Sequence, residues 1–89
     1  MSDLRVEIDR LDRQIVTLLA ERSGYVARAA QIKKDRAAII DEARIAQVIS
    51  GARSQAAERG ADPDLIESIY RAMIAVFIAF EERAFDKKA

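Results

Sequence analysis

The chain has 89 residues, enough for one domain (residues 1–89) with a modest core, and its hydrophobic content of 51% with three glycines and one proline favours helices over hairpin-connected strands. Fifteen basic and fifteen acidic residues cancel, so no bulk positive field predicts binding to nucleic acid or to an anionic membrane. The sequence has no Cys and no His, which argues against disulfides, a thiolate nucleophile, an imidazole base and the usual zinc or haem ligands; we expect no metal and no cofactor.

Targeting signals are not evident in the sequence. No apolar run reaches 18 residues, and the opening Met1-Ser2-Asp3 lacks the charged-then-apolar order of a signal peptide. A soluble cytoplasmic protein is therefore expected.

The first predicted helix runs from Asp3 to about Lys34, with Ser2 or Asp3 as its amino-terminal cap. Its apolar residues alternate at spacings of four and three, and the charged Arg22 occupies one position of the same seam. The seam consists of Leu4, Ile8, Leu11, Ile15, Leu18, Arg22, Tyr25, Ala29 and Ile32.

The length of this helix predicts a dimer. At about 1.5 Å per residue it is about 45 to 50 Å long, whereas a compact globule of this size has a radius of gyration of about 12 Å. One chain cannot cover such a seam, so we expect it to pack on the same helix of a second protomer across a two-fold axis.

Two shorter helices follow a loop over residues 35–40. Asp41 caps the second, which runs to about Arg59, and Gly60, Asp62 and Pro63 predict a turn, a cap and a first helical position for the third. The charged tail beyond Ala84 is expected to fray. The predicted core faces are Ile45, Val48, Ile49 and Ala52 on the second helix, and Ile66, Ile69, Tyr70, Met73, Ile74, Phe77 and Phe80 on the third.

Arg22 is the first candidate functional residue, because a guanidinium buried without a partner is destabilising unless an anion meets it. Alternatively, it extends outward to solvent or pairs with an acidic residue to fix helix register. Lys33, eleven residues later, points to a similar side of the helix and could converge with Arg22 on one small polyanion. A solvated lysine at a helix end is the commoner explanation.

Three more charged residues complete the candidate set. Glu81 continues the apolar stripe of the third helix and should face inward, unless the stripe ends at Phe80 and Glu81 begins the polar tail. Arg44 lies in the first turn of the second helix. Arg5 is about 42 Å from Lys33 along a straight helix, so the two can share a site only if they come from different protomers.

Taken together, these positions resemble the all-helical chorismate mutases over essentially the whole chain. The opening is the most specific part: Leu4-Arg5, then Ile8-Asp9 with Asp12, then Leu18-Leu19 with Arg22. The stretches AAQIKKD and DEARIAQV, before and after the loop, complete the resemblance.

The resemblance implies an all-α, intertwined homodimer that rearranges chorismate to prephenate. It implies that Arg22, Arg44 and the partner's Arg5 hold the two carboxylates. It further implies that Lys33 and Glu81 face the ether oxygen and that Asp41 lies near the ring hydroxyl. The concerted reaction needs no nucleophile or metal, only a restrained dianion with a cation and a hydrogen-bond donor at the ether oxygen.

Two positions depart from many bacterial members of that family. Glu81 replaces a glutamine and must carry a proton to donate, and Ile45 replaces an acidic residue beside Arg44. The short loop, its Ala37-Ala38-Ile39 run and the apolar Ile45 also resemble the isochorismate-pyruvate lyases of the same fold, which form salicylate. Asp41, in contrast, favours chorismate as the substrate. Two further alternatives are a 4-amino-4-deoxychorismate mutase and a non-catalytic helical dimerisation module in which these charges are structural.

Overall fold

The computed structural model describes residues 1–88, and these residues form three α-helices and one 3-10 turn, with no strand among them. Helix α1 spans Ser2–Ile32, the 3-10 turn Arg36–Ile39, α2 Glu42–Glu58 and α3 Pro63–Lys87. The predicted all-α architecture of one long and two shorter helices is confirmed. None of these helices, within the described residues, is long and apolar enough to cross a membrane.

Both ends of α1 differ from the prediction. The N–H of Arg5 donates to the carbonyl of Met1 at 3.0 Å, so Met1 is the cap residue, and the helix has no side-chain cap because the Met1 side chain has no oxygen to accept from an amide. Ser2 and Asp3 therefore lie inside the first turn, where the Asp3 charge favours the helix dipole without acting as a cap. At the other end, Lys33 is extended and terminates the helix two residues before the predicted end at Lys34.

The connection between α1 and α2 is more ordered than the predicted loop. The Asp35 side chain accepts a hydrogen bond from the amide of Ala37 at 3.0 Å and starts the 3-10 turn, which buries Ile39. Asp41 then accepts from the amide of Arg44 at 3.1 Å, as predicted for a cap of α2.

The junction of α2 and α3 follows the sequence signals closely. Gly60 adopts φ 71°, a left-handed conformation that glycine tolerates best, and the amide of Ala61 donates back to the carbonyl of Ala56 at 2.8 Å. Asp62 caps α3 through the amide of Asp64 at 2.9 Å, and Pro63 opens the helix. Helices α2 and α3 consequently fold back on one another.

Helix α3 is central, since it packs against α1, against α2 and against the 3-10 turn. The prediction that the chain frays beyond Ala84 is wrong, because α3 continues to Lys87. Arg36 pairs with Glu82 and Asp86 near the end of α3, and these ion pairs link that end to the α1–α2 connection. The buried apolar core is small and consists of Ala30, Ile39, Ile49, Ala52, Ala56 and Ile74.

The molecule is elongated because α1 extends well beyond the other helices. Its dimensions are 50 × 25 × 15 Å and its radius of gyration is 15.5 Å, against about 12 Å for a compact chain of this length. Every residue from 1 to 18 is exposed. The first five apolar seam residues are 44–63% exposed: Leu4, Ile8, Leu11, Ile15 and Leu18.

Candidate functional site

A cavity of about 360 Å³ lies where the carboxy-terminal halves of α1 and α3 meet the 3-10 turn and the start of α2. This volume falls at the lower end of the range for small-molecule sites. The cavity combines charged and apolar side chains: Arg22, Val26, Lys33, Ala38, Ile39, Asp41, Arg44, Ile45, Val48, Ile74, Phe77, Ile78 and Glu81 line it.

Five of the six residues singled out in the sequence line this one cavity. They come from all three helices and the connection: Arg22, Lys33, Asp41, Arg44 and Glu81. Arg5 does not line it, since it is exposed in the first turn of α1, about 26 Å before Arg22 along the helix axis. Within a single protomer, Arg5 is out of reach.

The Arg22 guanidinium lies over the ring of Phe77, with its central carbon 4.4 Å from the ring centroid. The cation–π contact and the half-buried position show that Arg22 turns inward onto α3, so the outward-extending alternative is wrong. Its Nη1 atom is buried, and nothing in residues 1–88 accepts a hydrogen bond from it. A buried cationic donor left in this state is costly and suits an anionic ligand.

Lys33 and Glu81 form an ion pair across the cavity wall, with 2.6 Å between Lys33 Nζ and Glu81 Oε2. Glu81 is only 7% exposed, so the alternative that it begins a polar tail is wrong. Lys33 retains more solvent access, with 29% of its side chain exposed. An ammonium has three donors, so two N–H groups of Lys33 stay available beside this contact.

Arg44 and Asp41 lie together at the amino terminus of α2. One carboxylate oxygen of Asp41 accepts a hydrogen bond from the backbone amide of Arg44, and the other carboxylate oxygen of Asp41 can contact a ligand. The exposed Arg44 side chain donates to Gln47 Oε1 at 2.7 Å. Arg44 can therefore exchange a neutral partner for an anion without losing an existing ion pair.

The apolar wall of the cavity includes residues that the sequence reasoning missed, namely Val26, Ala38 and Ile78. Helical spacing could have identified two of them, because Val26 follows Arg22 by four residues and Ile78 precedes Glu81 by three. Ala38 lies on the 3-10 turn, where no periodic signal exists.

The arrangement is chemically suited to a small dianion with an apolar body. Arg22 and Arg44 are cationic groups without a carboxylate partner among residues 1–88, while Ile45, Ile74 and Phe77 provide the apolar surface. No group of His, Cys, Asp or Glu side chains within the described part of the chain could hold a metal ion.

Comparison with known proteins gives three similarities. The family model described as chorismate mutase type II matches residues 4–82. An isochorismate pyruvate lyase of Pseudomonas aeruginosa is 34% identical over 79 residues, which cover 89% of this chain and 78% of that protein. A Haemophilus influenzae protein named T-protein is 36% identical over 73 residues, covering 80% of this chain but 19% of the larger protein.

Proposed function

Since this chain belongs to the chorismate mutase type II family, we propose that it catalyses the rearrangement of chorismate to prephenate. The observation that carries the proposal is the buried, unpartnered Nη1 of Arg22 at the wall of a cavity that also contains Lys33 and Arg44. Three cationic side chains around an apolar pocket match a substrate that has two carboxylates on a carbocyclic body.

Substrate restraint is the first requirement of the reaction. In the rearrangement one carbon–oxygen bond breaks at the ether and one carbon–carbon bond forms, so the enolpyruvyl arm must fold over the ring. Arg22 and Arg44 hold the carboxylates through paired N–H donors, while Phe77 keeps the Arg22 guanidinium plane fixed. Restraining the reactive conformer removes part of the entropic barrier.

Stabilisation of the ether oxygen is the second requirement, because negative charge develops there as the bond breaks. Lys33 supplies a cation and two N–H donors beyond the one directed at Glu81. Glu81 in its protonated form supplies a further hydrogen bond. One carboxylate oxygen of Asp41 accepts the capping hydrogen bond from Arg44, and the other accepts a hydrogen bond from the ring hydroxyl.

The site is completed, in this proposal, by Arg5 of a second protomer. Helix α1 leaves its seam exposed from Leu4 to Leu18, and pairing two such seams around a two-fold axis brings each Arg5 towards the partner's cavity. The chain exposes 6831 Å², whereas a compact monomer of 9.9 kDa exposes about 5200 Å². The excess of about 1600 Å² per chain corresponds to about 3200 Å² in a dimer, which is about twice a standard interface and lies in the range of obligate homodimers.

A second candidate reaction is the lyase reaction on isochorismate, which gives salicylate and pyruvate. Two observations favour it: the apolar Ile45 in the cavity wall and the similarity to a protein named isochorismate pyruvate lyase. Both reactions break the ether bond of a dicarboxylate, so the same cations serve either. The choice depends on which ring hydroxyl position the wall around Ile45 and Asp41 accepts.

The test is to incubate the protein separately with chorismate, isochorismate and 4-amino-4-deoxychorismate and to identify the products. Prephenate from chorismate at the higher kcat/KM supports the proposal, and salicylate from isochorismate at the higher kcat/KM supports the second candidate. No product from any of the three contradicts both and leaves the helical dimerisation module.

Arg22→Leu is the matched variant for this assay, with Arg28→Ala as its control. Arg28 lies on the same helix, contacts Tyr25 and does not line the cavity. We expect Arg22→Leu to lower kcat/KM by about 100-fold or more while the fold and the dimer persist, and Arg28→Ala to retain activity. In a non-catalytic module Arg22→Leu would only maintain or raise stability.

A further inference from the structure

The side chain of Lys88 reaches from the end of α3 to the end of α1. Its Nζ donates to the backbone carbonyls of Ala30 at 2.8 Å and Gln31 at 3.4 Å, and closely to that of Lys33. The same ammonium lies 4.1 Å from the centroid of the Phe85 ring. One lysine thus joins the two helix ends that border the cavity.

These carbonyls belong to the end of a helix that has no cation of its own. The last carbonyls of an α-helix lack intrahelical partners and carry partial negative charge, and α1 has no basic residue in its last turn. Lys88, the residue that follows α3, supplies a cation there. It also lies beyond residues 4–82, where the similarity to the family ends.

Lys33 is the residue most constrained by this contact. Its amide donates to the carbonyl of Ala29 at 3.0 Å, its own carbonyl accepts from Lys88, and its ammonium pairs with Glu81. The chain leaves the helical conformation at Lys33, so no following turn of α1 would hold this backbone in place. Both the backbone and the side chain of Lys33 are therefore held by α3.

We propose that Lys88 is a positioning residue that acts through Lys33: by capping α1 it fixes the backbone from which the Lys33 ammonium is directed at the ether oxygen. The proposal rests on the proposed function for the reacting group, but the Lys88 contacts themselves are independent of it. The residue that follows α3 then sets the geometry of the reacting group at the end of α1.

The kinetic test compares Lys88→Ala and Lys88→Arg, with Lys87→Ala as the control. Lys87 is exposed, has the same charge and makes no hydrogen bond to α1 among the described residues. We expect Lys88→Ala to lower kcat by about tenfold with a smaller change in KM, because Lys33 loses its alignment. Lys88→Arg keeps a cation at the carbonyls, so we expect its kcat to stay close to that of the wild type. Lys87→Ala should have wild-type kcat and KM.

A double-mutant cycle separates positioning from general stability. If Lys88 acts through Lys33, then adding Lys88→Ala to Lys33→Gln produces no further fall in kcat, because the group that it aligns is already gone. A merely structural role lowers kcat by the same factor in both backgrounds. That result, or an unchanged kcat in Lys88→Ala alone, overturns the proposal.

Amide hydrogen exchange provides a readout that does not depend on turnover. The Lys33 amide donates to the Ala29 carbonyl in the last turn of α1, and this turn should open more often once Lys88 no longer binds its carbonyls. We therefore expect the Lys33 amide to exchange about fivefold faster in Lys88→Ala and at the wild-type rate in Lys87→Ala. If the wild-type protein converts none of the acids, the proposed function fails while this measurement still decides whether Lys88 fixes the Lys33 backbone. Unchanged exchange at Lys33 contradicts this role of Lys88.

Discussion

Glu81 can act in the reaction in two ways, as a hydrogen-bond donor to the substrate or as the carboxylate that positions Lys33, and a substitution distinguishes these two roles. A protonated Glu81 can donate a hydrogen bond to the ether oxygen, whereas an ionised Glu81 can only accept from Lys33 and hold the ammonium in place. An ionised carboxylate also adds negative charge where negative charge develops. The two roles predict opposite effects of an amide in this position.

We predict that Glu81→Gln keeps or raises kcat, because its amide donates a hydrogen bond to the ether oxygen and adds no negative charge there. The measurement compares kcat of the two proteins at one neutral pH. Glu82→Gln is the control, since Glu82 is adjacent but pairs with Arg36 outside the cavity.

The opposite result identifies the second role. If Glu81→Gln lowers kcat by about tenfold or more, Glu81 acts as the carboxylate that holds Lys33.

The α2–α3 hairpin is held by a charge network beside its turn. Arg53 on α2 donates to Asp64 and to Glu67, at 2.9 Å each, and Arg71 donates to Glu67 at 2.6 Å. The Arg71 hydrogen bond, with a smaller contribution from Arg53, lowers the pKa of Glu67 below its ordinary value of 4.5. The same network raises the pKa of Arg53, chiefly through the hydrogen bond to Asp64.

Because the folded state lowers the pKa of Glu67, its contribution to stability is complete above pH 4.5 and is lost as pH falls through the lower, folded-state value. We predict that Glu67→Gln is less stable than the wild type at neutral pH and that this difference shrinks in acid. Urea unfolding at several pH values and one protomer concentration measures it. The effect is small, since exposed ion pairs contribute little.

Glu58→Gln is the control for this prediction. Glu58 is an exposed glutamate at the end of α2 with no ion-pair partner among residues 1–88. A difference between wild type and Glu67→Gln that is independent of pH, or equal to that of Glu58→Gln, contradicts the assignment.

For the whole molecule, the projecting half of α1 is the decisive feature. A single chain leaves residues 1–18 exposed, and the apolar seam among them has no cover within the protomer. We predict that sedimentation at micromolar concentration gives a mass of about twice 9.9 kDa and that unfolding depends on protein concentration. A folded, stable monomer in that range contradicts the dimer and the placement of Arg5 in a partner's site.

If each site contains residues from both protomers, two inactive variants can complement each other, which tests the dimer more stringently than its mass does. We expect Arg5→Ala and Lys33→Ala each to be inactive, and their mixture to regain activity after subunit exchange. In a heterodimer one site receives both lesions and the other is intact, so random exchange restores about a quarter of wild-type activity.

The control for complementation mixes Arg22→Ala with Lys33→Ala, two residues that line the same cavity of one protomer. Every site in that heterodimer has one lesion, so no activity returns. Failure of the Arg5 pair to complement after verified exchange places Arg5 outside the site.

The sequence by itself determined the features that depend on neighbouring residues. Asp41, Gly60 and Pro63 mark helix boundaries because a cap, a left-handed turn and a fixed φ act within a few residues. The periodicity of the seam and stripe identified the long helix, its exposed face, the seam position of Arg22 and the inward position of Glu81. The family resemblance, and not the periodicity, added Arg44 and Asp41 to the site. The ends of α1 and α3 and the 3-10 turn between α1 and α2 differ from the prediction, because contacts from elsewhere in the chain decide how far a helix continues. Ile69 was predicted to lie in the core and is 52% exposed.

Only the tertiary structure decided which side chains meet. Periodicity places Arg22 and Glu81 on inward faces, but the rotation and crossing of α1 and α3 decide that Arg22 stacks on Phe77 and Glu81 reaches Lys33. The Lys88 cap on α1 has no local signal at all, since its partners lie 55 to 58 residues earlier. Contacts at such separations arise from the packing of whole helices, which short-range patterns in one sequence do not specify.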